Sequence, residues 1–168
     1  PVEQWFSKLL AETDSKKIIE PSIALAHQGD KSIQSKILKK LQPITLETQL
    51  VEQQLNMLRS YELNFIRMGA PSASDKIATA KKLKSYFPHA SDEMNRELGQ
   101  LLLYLDADGI TEGLVALLDK HTKEGTTLSK DVLSEEITER SEQYGPLIRE
   151  ILDKMPPSEA IYYGVLLS

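Results

Sequence analysis

Gly29, Gly69 and Gly109 stand forty residues apart, and apolar residues keep constant offsets from each. Ile18, Leu58 and Leu98 lie eleven positions before the glycine, Ile23, Leu63 and Leu103 six before, and Leu25, Phe65 and Leu105 four before. Ile37, Ile77 and Leu117 lie eight positions after it. A register shared at four offsets in three copies marks an internal repeat, and a period of about forty belongs to arrays of paired helices. Such arrays bury one core by stacking unit on unit, and they offer extended surfaces rather than a ready reaction centre.

Apolar spacing is helical throughout, and no segment alternates with period two. Trp5, Phe6, Leu9 and Leu10 predict a first helix ending near Thr13, and Ile18 to Ala26 a second that stops at Gly29. Ile33, Ile37, Leu38 and Leu41 predict a third, closed by Pro43, which has no N–H to continue it. Thr45 is the expected N-cap of a long fourth helix, with Glu47 at its positive end and Gly69-Ala70-Pro71 as its terminator. Ser72 with Asp75 opens the fifth helix, which Pro88 closes, and Ser91-Asp92-Glu93 opens the sixth. Asp108-Gly109 leads into a seventh. After the polar stretch from Thr122 to Ser129 the register fails, because Leu98 plus forty is Thr138. One or two helices are expected over Val132 to Lys154, and a last one over Glu159 to Leu167.

The expected fold is therefore all-α, a HEAT/armadillo-like α-α superhelix in a single domain of 168 residues. Its pairs span about 1–42, 45–87 and 91–121, with a divergent fourth over about 129–168. The second helix of each pair is expected to line the concave face. That length suffices for one core burying roughly 70% of the unfolded surface. A net charge of −5 supplies no global basic field to attract nucleic acid or anionic lipid. The chain has no cysteine, which excludes disulfides, thiolate zinc sites, thiolate catalysis and covalent c-type haem attachment within it. No apolar run approaches the roughly 20 residues of a membrane helix, so no membrane insertion is expected. The chain starts at Pro1 without Met and is read as a fragment of a larger protein.

Candidate chemistry is sparse. Asp106-Ala107-Asp108-Gly109 opens like a calcium loop, but position twelve is Leu117 rather than Glu, so a helix-ending turn explains it better. His27, His89 and His121 are scattered without metal-ligand spacing, each near a helix end where it can help satisfy terminal carbonyls. Glu135, Glu136, Glu139 and Glu142 form an acidic stripe beside Arg140, not the opposed carboxylates of acid–base catalysis. Lys36, Lys39 and Lys40, then Lys76, Lys81, Lys82 and Lys84, recur in successive pairs and would stack as a basic ridge. This ridge is either a solvated face or a docking strip for an acidic partner. Arg59, Glu62, Asn64, Arg67, Asn95, Arg96 and Glu97 are polar residues on core-rich helices. They are candidates either for bracing between repeats or for contact with a partner.

Four runs carry a resemblance. Tyr61 to Gly69 (YELNFIRMG) is followed by Tyr86-Phe87-Pro88, then by Asn95-Arg96-Glu97-Leu98 with Leu101-Leu102-Leu103-Tyr104-Leu105. Met155 to Tyr163 (MPPSEAIYY) closes the chain. In this order they resemble the HEAT-like segment of large bacterial proteins described as haem-binding or membrane-bound sugar-dehydrogenase-like. The resemblance covers most of the chain and is best from about Met57 to Leu118. Members of that family begin with a propeller similar to quinoprotein glucose/sorbosone dehydrogenases and end in a cytochrome c domain carrying CxxCH.

The resemblance implies an extracytoplasmic, periplasmic setting, with haem c and a quinone cofactor in the parent and no cofactor in this segment. The chain has neither propeller nor CxxCH, so no catalytic or haem residue carries over. The expected function is a non-catalytic scaffold or interaction module spacing a sugar dehydrogenase domain and a cytochrome c domain. Its partner would be protein, either neighbouring domains or another chain. One rival is a generic protein-binding α-solenoid without a redox role. Another is a HEAT-like base-excision glycosylase, which would need a basic cleft that the acidic balance argues against. Trp5 and the run Tyr162-Tyr163-Val165-Leu166 are expected to be exposed at the ends and to promote self-association.

Overall fold

The computed structural model describes residues 2–124 and 156–168, and among these the chain is all-helical, with eight helices and no strand. It divides into two compact units, residues 1–110 and 111–168, each taken here by itself.

The first unit contains α1 (Val2–Ala11), α2 (Ser15–Gln28), α3 (Lys31–Leu41), α4 (Val51–Met68), α5 (Ala73–Lys84) and α6 (Asp92–Tyr104). Their starts follow from capping chemistry. Asp14 accepts the N–H groups of Lys16 and Lys17, Asp30 that of Ser32, and Ser91 that of Met94. At α5 the Ser72 hydroxyl accepts the Asp75 N–H at 3.2 Å and donates to the Asp75 carboxylate at 2.7 Å. Pro21 lies inside α2, which continues through it although the proline brings no N–H to the ladder.

The helices pack in two layers. In one, α2 lies on α4 and α4 on α6; in the other, α1 lies on α3 and α3 on α5. The two layers are joined through α1–α2, α2–α3, α3–α4 and α5–α6. The α2–α4 contact is the most extensive among the described helices. The core follows the repeat register at three of its four offsets. Ile18, Leu58 and Leu98 are buried, as are Leu25, Phe65 and Leu105, while Ile23, Leu63 and Leu103 are half-buried.

The fourth offset needs correction. Ile37 and Leu117 are buried, but Ile77 is 69% exposed. In α5 the inward face is Asp75, Thr79 and Leu83, one turn apart, and Ile77 stands on the opposite side. Thr45 is likewise not the cap of α4. Residues 43–50 run as turns held by buried Ile44 and Leu46, and the Gln54 amide donates to the carbonyls of Leu46 and Gln49, both at 3.0 Å. Thr45 and Thr48 instead share a hydroxyl contact at 2.9 Å, and α4 begins after Leu50 without a side-chain cap.

Helix C-termini are closed from neighbouring helices. Lys40 of α3 donates to the Leu10 carbonyl of α1 at 2.8 Å. Lys82 of α5 donates to the carbonyls of Leu41, Gln42 and Ile44, at 2.6, 2.9 and 2.6 Å, beyond the end of α3. Gln34 of α3 donates to the Asn64 and Gly69 carbonyls at the end of α4, at 3.2 and 2.7 Å. Each of these side chains reaches carbonyls that a helix end leaves without an intrahelical donor.

The second unit contains α7 (Ile110–Glu124), which begins at the boundary, and α8 (Ser158–Leu166), one residue earlier than the spacing predicts. Leu114, Leu117 and His121 of α7 and Ala160 and Tyr163 of α8 are buried. The His121 ring stacks on Tyr163 at 5.8 Å between centroids, and Tyr162 meets Tyr163 edge-on at 5.5 Å. The expectation that Tyr163 is an exposed end residue is therefore wrong, while Val165 is 69% exposed. The helices expected over Val132 to Lys154, and the stripe Glu135, Glu136, Glu139, Arg140 and Glu142, lie outside the described residues.

Candidate interaction groove

The polar residues picked out on α4 and α6 separate into two sets. Asn64 and Asn95 point inward and are fully buried. The Asn64 amide donates to the Ser60 carbonyl of its own helix at 2.8 Å. Asn95 braces the chain before α6: its Oδ1 accepts the His89 N–H at 2.6 Å and its amide donates to the His89 carbonyl at 2.8 Å. The His89 ring Nδ1 in turn accepts the Ser91 N–H at 3.1 Å. His89 thus serves the start of α6 rather than terminal carbonyls, contrary to the sequence expectation. His121 is stacked on Tyr163, and only His27 sits exposed in a last helical turn.

Arg59 and Arg67 are exposed, and Glu62, Arg96 and Glu97 are half-buried. Glu62 and Glu97 come together at the mouth of a groove of about 200 Å³ between α4 and α6. Its floor is Phe65 and Ile66 from α4, with Gln100, Leu101 and Tyr104 from α6. Phe65 stacks on Tyr104 with centroids 5.3 Å apart and planes inclined by 20°. Glu62 lies near enough to Glu97 to act on its charge, and further along both helices Phe65 stacks on Tyr104, the order expected of two helices running in the same direction. Ile66 is 66% and Tyr104 48% exposed, an unusual position for two large apolar side chains so close together.

Electrostatics at the mouth are strained. Burial pushes the Glu97 carboxyl above its usual range, and the charges of Glu62 and Glu93 push it further. Arg96 and Arg59 oppose that shift. A cation placed between the two carboxylates would favour the ionised form of Glu97.

The lysine ridge does not present a free basic face. Lys40 and Lys82 turn to helix carbonyls, Lys76 pairs with Asp106, and Lys84 donates to the Asp108 carbonyl. Lys36 lies over the Phe6 ring, 5.6 Å from its centroid. Lys39 and Lys81 stand exposed. Asp106-Ala107-Asp108-Gly109 forms the turn into α7, with positive φ at Asp106 and Gly109. Among the described residues no group of three or more His, Cys, Asp or Glu side chains could hold a metal ion, and no helix is long and apolar enough to cross a membrane.

Sequence reasoning singled out Glu62 and Glu97 but not the surface they border. The signal was available as Glu62, Phe65 and Ile66 at i, i+3 and i+4, matched by Glu97, Gln100, Leu101 and Tyr104 thirty-five residues on. Compared with known proteins, the chain matches no family model, no curated protein and no solved structure.

Proposed function

We propose that this chain is a non-catalytic interaction module of HEAT or armadillo type, whose stacked helix pairs grip a protein segment on the α4–α6 face. The observation that carries the reading is the groove: exposed Ile66 and Tyr104 stand over buried Phe65 and Leu101 on neighbouring helices of one layer. A floor built jointly by successive repeats is how solenoids make an extended contact surface. In the larger protein that the resemblance implies, the module spaces a quinoprotein-type sugar dehydrogenase domain and a cytochrome c domain in the periplasm.

Two measurements test this. The full-length parent, purified from its native compartment, is expected to give a c-type haem absorption spectrum that dithionite reduces. A colourless parent overturns the redox setting and leaves a binding solenoid without a redox role. Cross-linking of the parent is then expected to concentrate on α4 and α6; cross-links confined to other faces overturn the assignment of the contact surface.

A further inference from the structure

We propose that the groove between α4 and α6 receives a cationic amphipathic helix of a partner protein. Its apolar side chains would seat on Ile66 and Tyr104, and a Lys or Arg would lie between Glu62 and Glu97. This rests on the scaffold reading above and names the class of partner.

Three features support it. The first is size: a volume of about 200 Å³ falls below the roughly 300–1,000 Å³ of small-molecule sites, so single side chains fit better than a metabolite. The second is shape. Two helices running in the same direction leave a furrow between their ridges, and the ridge of a third helix packs into such a furrow. On α6 the lining runs from Glu97 to Tyr104, a length of about 10 Å or two turns, which matches anchors at i, i+3 or i+4, and i+7.

The third feature is charge. Glu62 and Glu97, both half-buried, line the same groove from its two helices, and Glu97 feels the charges of Glu62, Arg96, Glu93 and Arg59. Burial and the neighbouring Glu62 carboxylate hold Glu97 above its ordinary titration range. An ammonium or guanidinium relieves the repulsion between the two carboxylates and takes up the ionised form of both. An acidic partner meets like charge at the same point, in a chain of net charge −5.

The experiment is selection of a displayed library of helical peptides about 14 residues long, with one face randomised, against the whole chain. Recovered peptides are expected to carry Lys or Arg one turn from aliphatic or aromatic anchors. Their affinity for Glu62→Gln/Glu97→Gln is expected to fall about tenfold, and their affinity for Ile66→Ser by a similar factor. Binding to the wild type is also expected to strengthen as pH rises and Glu97, held above the usual carboxylate range, ionises, and the double Gln variant should lose that dependence. Circular dichroism of both variants checks that they remain folded, and neither changes a fully buried side chain.

Four results overturn the proposal: recovery of acidic peptides, equal binding to wild type and both variants, no peptide recovered, or a dimer of the chain abolished by Ile66→Ser. If it fails while the parent still cross-links a protein through other helices, the scaffold reading stands and only this groove loses its assignment.

Discussion

Lys82 illustrates how one side chain can serve two elements. Its ammonium supplies donors to three carbonyls at and just past the end of α3, so Lys82→Met leaves those of Gln42 and Ile44 to water or to nothing, while that of Leu41 keeps the Ile44 N–H. The expected loss is about 1 kcal/mol or somewhat more in urea unfolding at neutral pH, because the site is only partly buried. Burial pushes the Lys82 pKa down to about 8 from the ordinary lysine value of 10.5, with Glu47 opposing. Between those values the unfolded chain holds the proton and the folded chain has released it, so stability rises with pH there. Relative to Lys82→Met, the wild type should gain stability as pH climbs through that window and lose the gain as pH falls through about 8. A flat difference between the two proteins over that range would refute this account. Asn95 is a second such residue. Asn95→Ala leaves the His89 N–H and carbonyl without their partners, with an expected loss of about 1–3 kcal/mol in the same assay.

At the level of elements, Gly29 and Gly69 end their helices for different physical reasons. Gly69 has φ 79° and ψ −170°, a region that side chains other than glycine essentially do not enter, while a Cβ there would meet only the Lys31 Nζ at 3.9 Å. Gly29 has an ordinary φ of −88°, but a Cβ would stand 2.8 Å from the Leu25 carbonyl oxygen and 2.5 Å from the Ile33 side chain. Gly69→Ala is expected to lose about 1–3 kcal/mol through backbone strain, and Gly29→Ala a similar amount through overpacking. In double variants with Ile33→Ala, only the Gly29→Ala penalty should shrink; an equal change in both would contradict this division. Among the helices of the first unit, α1 buries only Leu9, so its amides are expected to exchange hydrogen fastest. Slower exchange in α1 than in α4 would sink that expectation.

Element starts with a polar cap were legible in the chain, as at Ser72 and Ser91. The start of α4 was not, because Leu50 offers no cap and tertiary contacts of Leu46 and Gln54 hold the turn before it.

For the molecule as a whole, self-association is expected to run through the N-terminal edge, where Trp5 is 48% exposed beside Pro21 and Ala24. Sedimentation velocity should show association increasing with concentration, reduced by Trp5→Ser and unaffected by Ile66→Ser. A strictly monomeric profile at high concentration would exclude it. The forty-residue register pointed to the all-helical structure of the described residues, and its positions eleven and four before each glycine are all buried, because burying a continuous apolar stripe at helical spacing leaves little choice. Ile77 marks where that reasoning stops: its offset matched the register, yet the rotation of α5 turned Asp75 and Thr79 inward. The same limit applies to the lysines and to the groove. Periodicity assigns a residue to a helix, but which carbonyls Lys40 and Lys82 reach depends on how helices are set against one another. So does the meeting of Glu62 with Glu97 over an apolar floor. Local spacing acts along one helix, whereas these contacts join residues thirty or more positions apart, and packing alone brings them together.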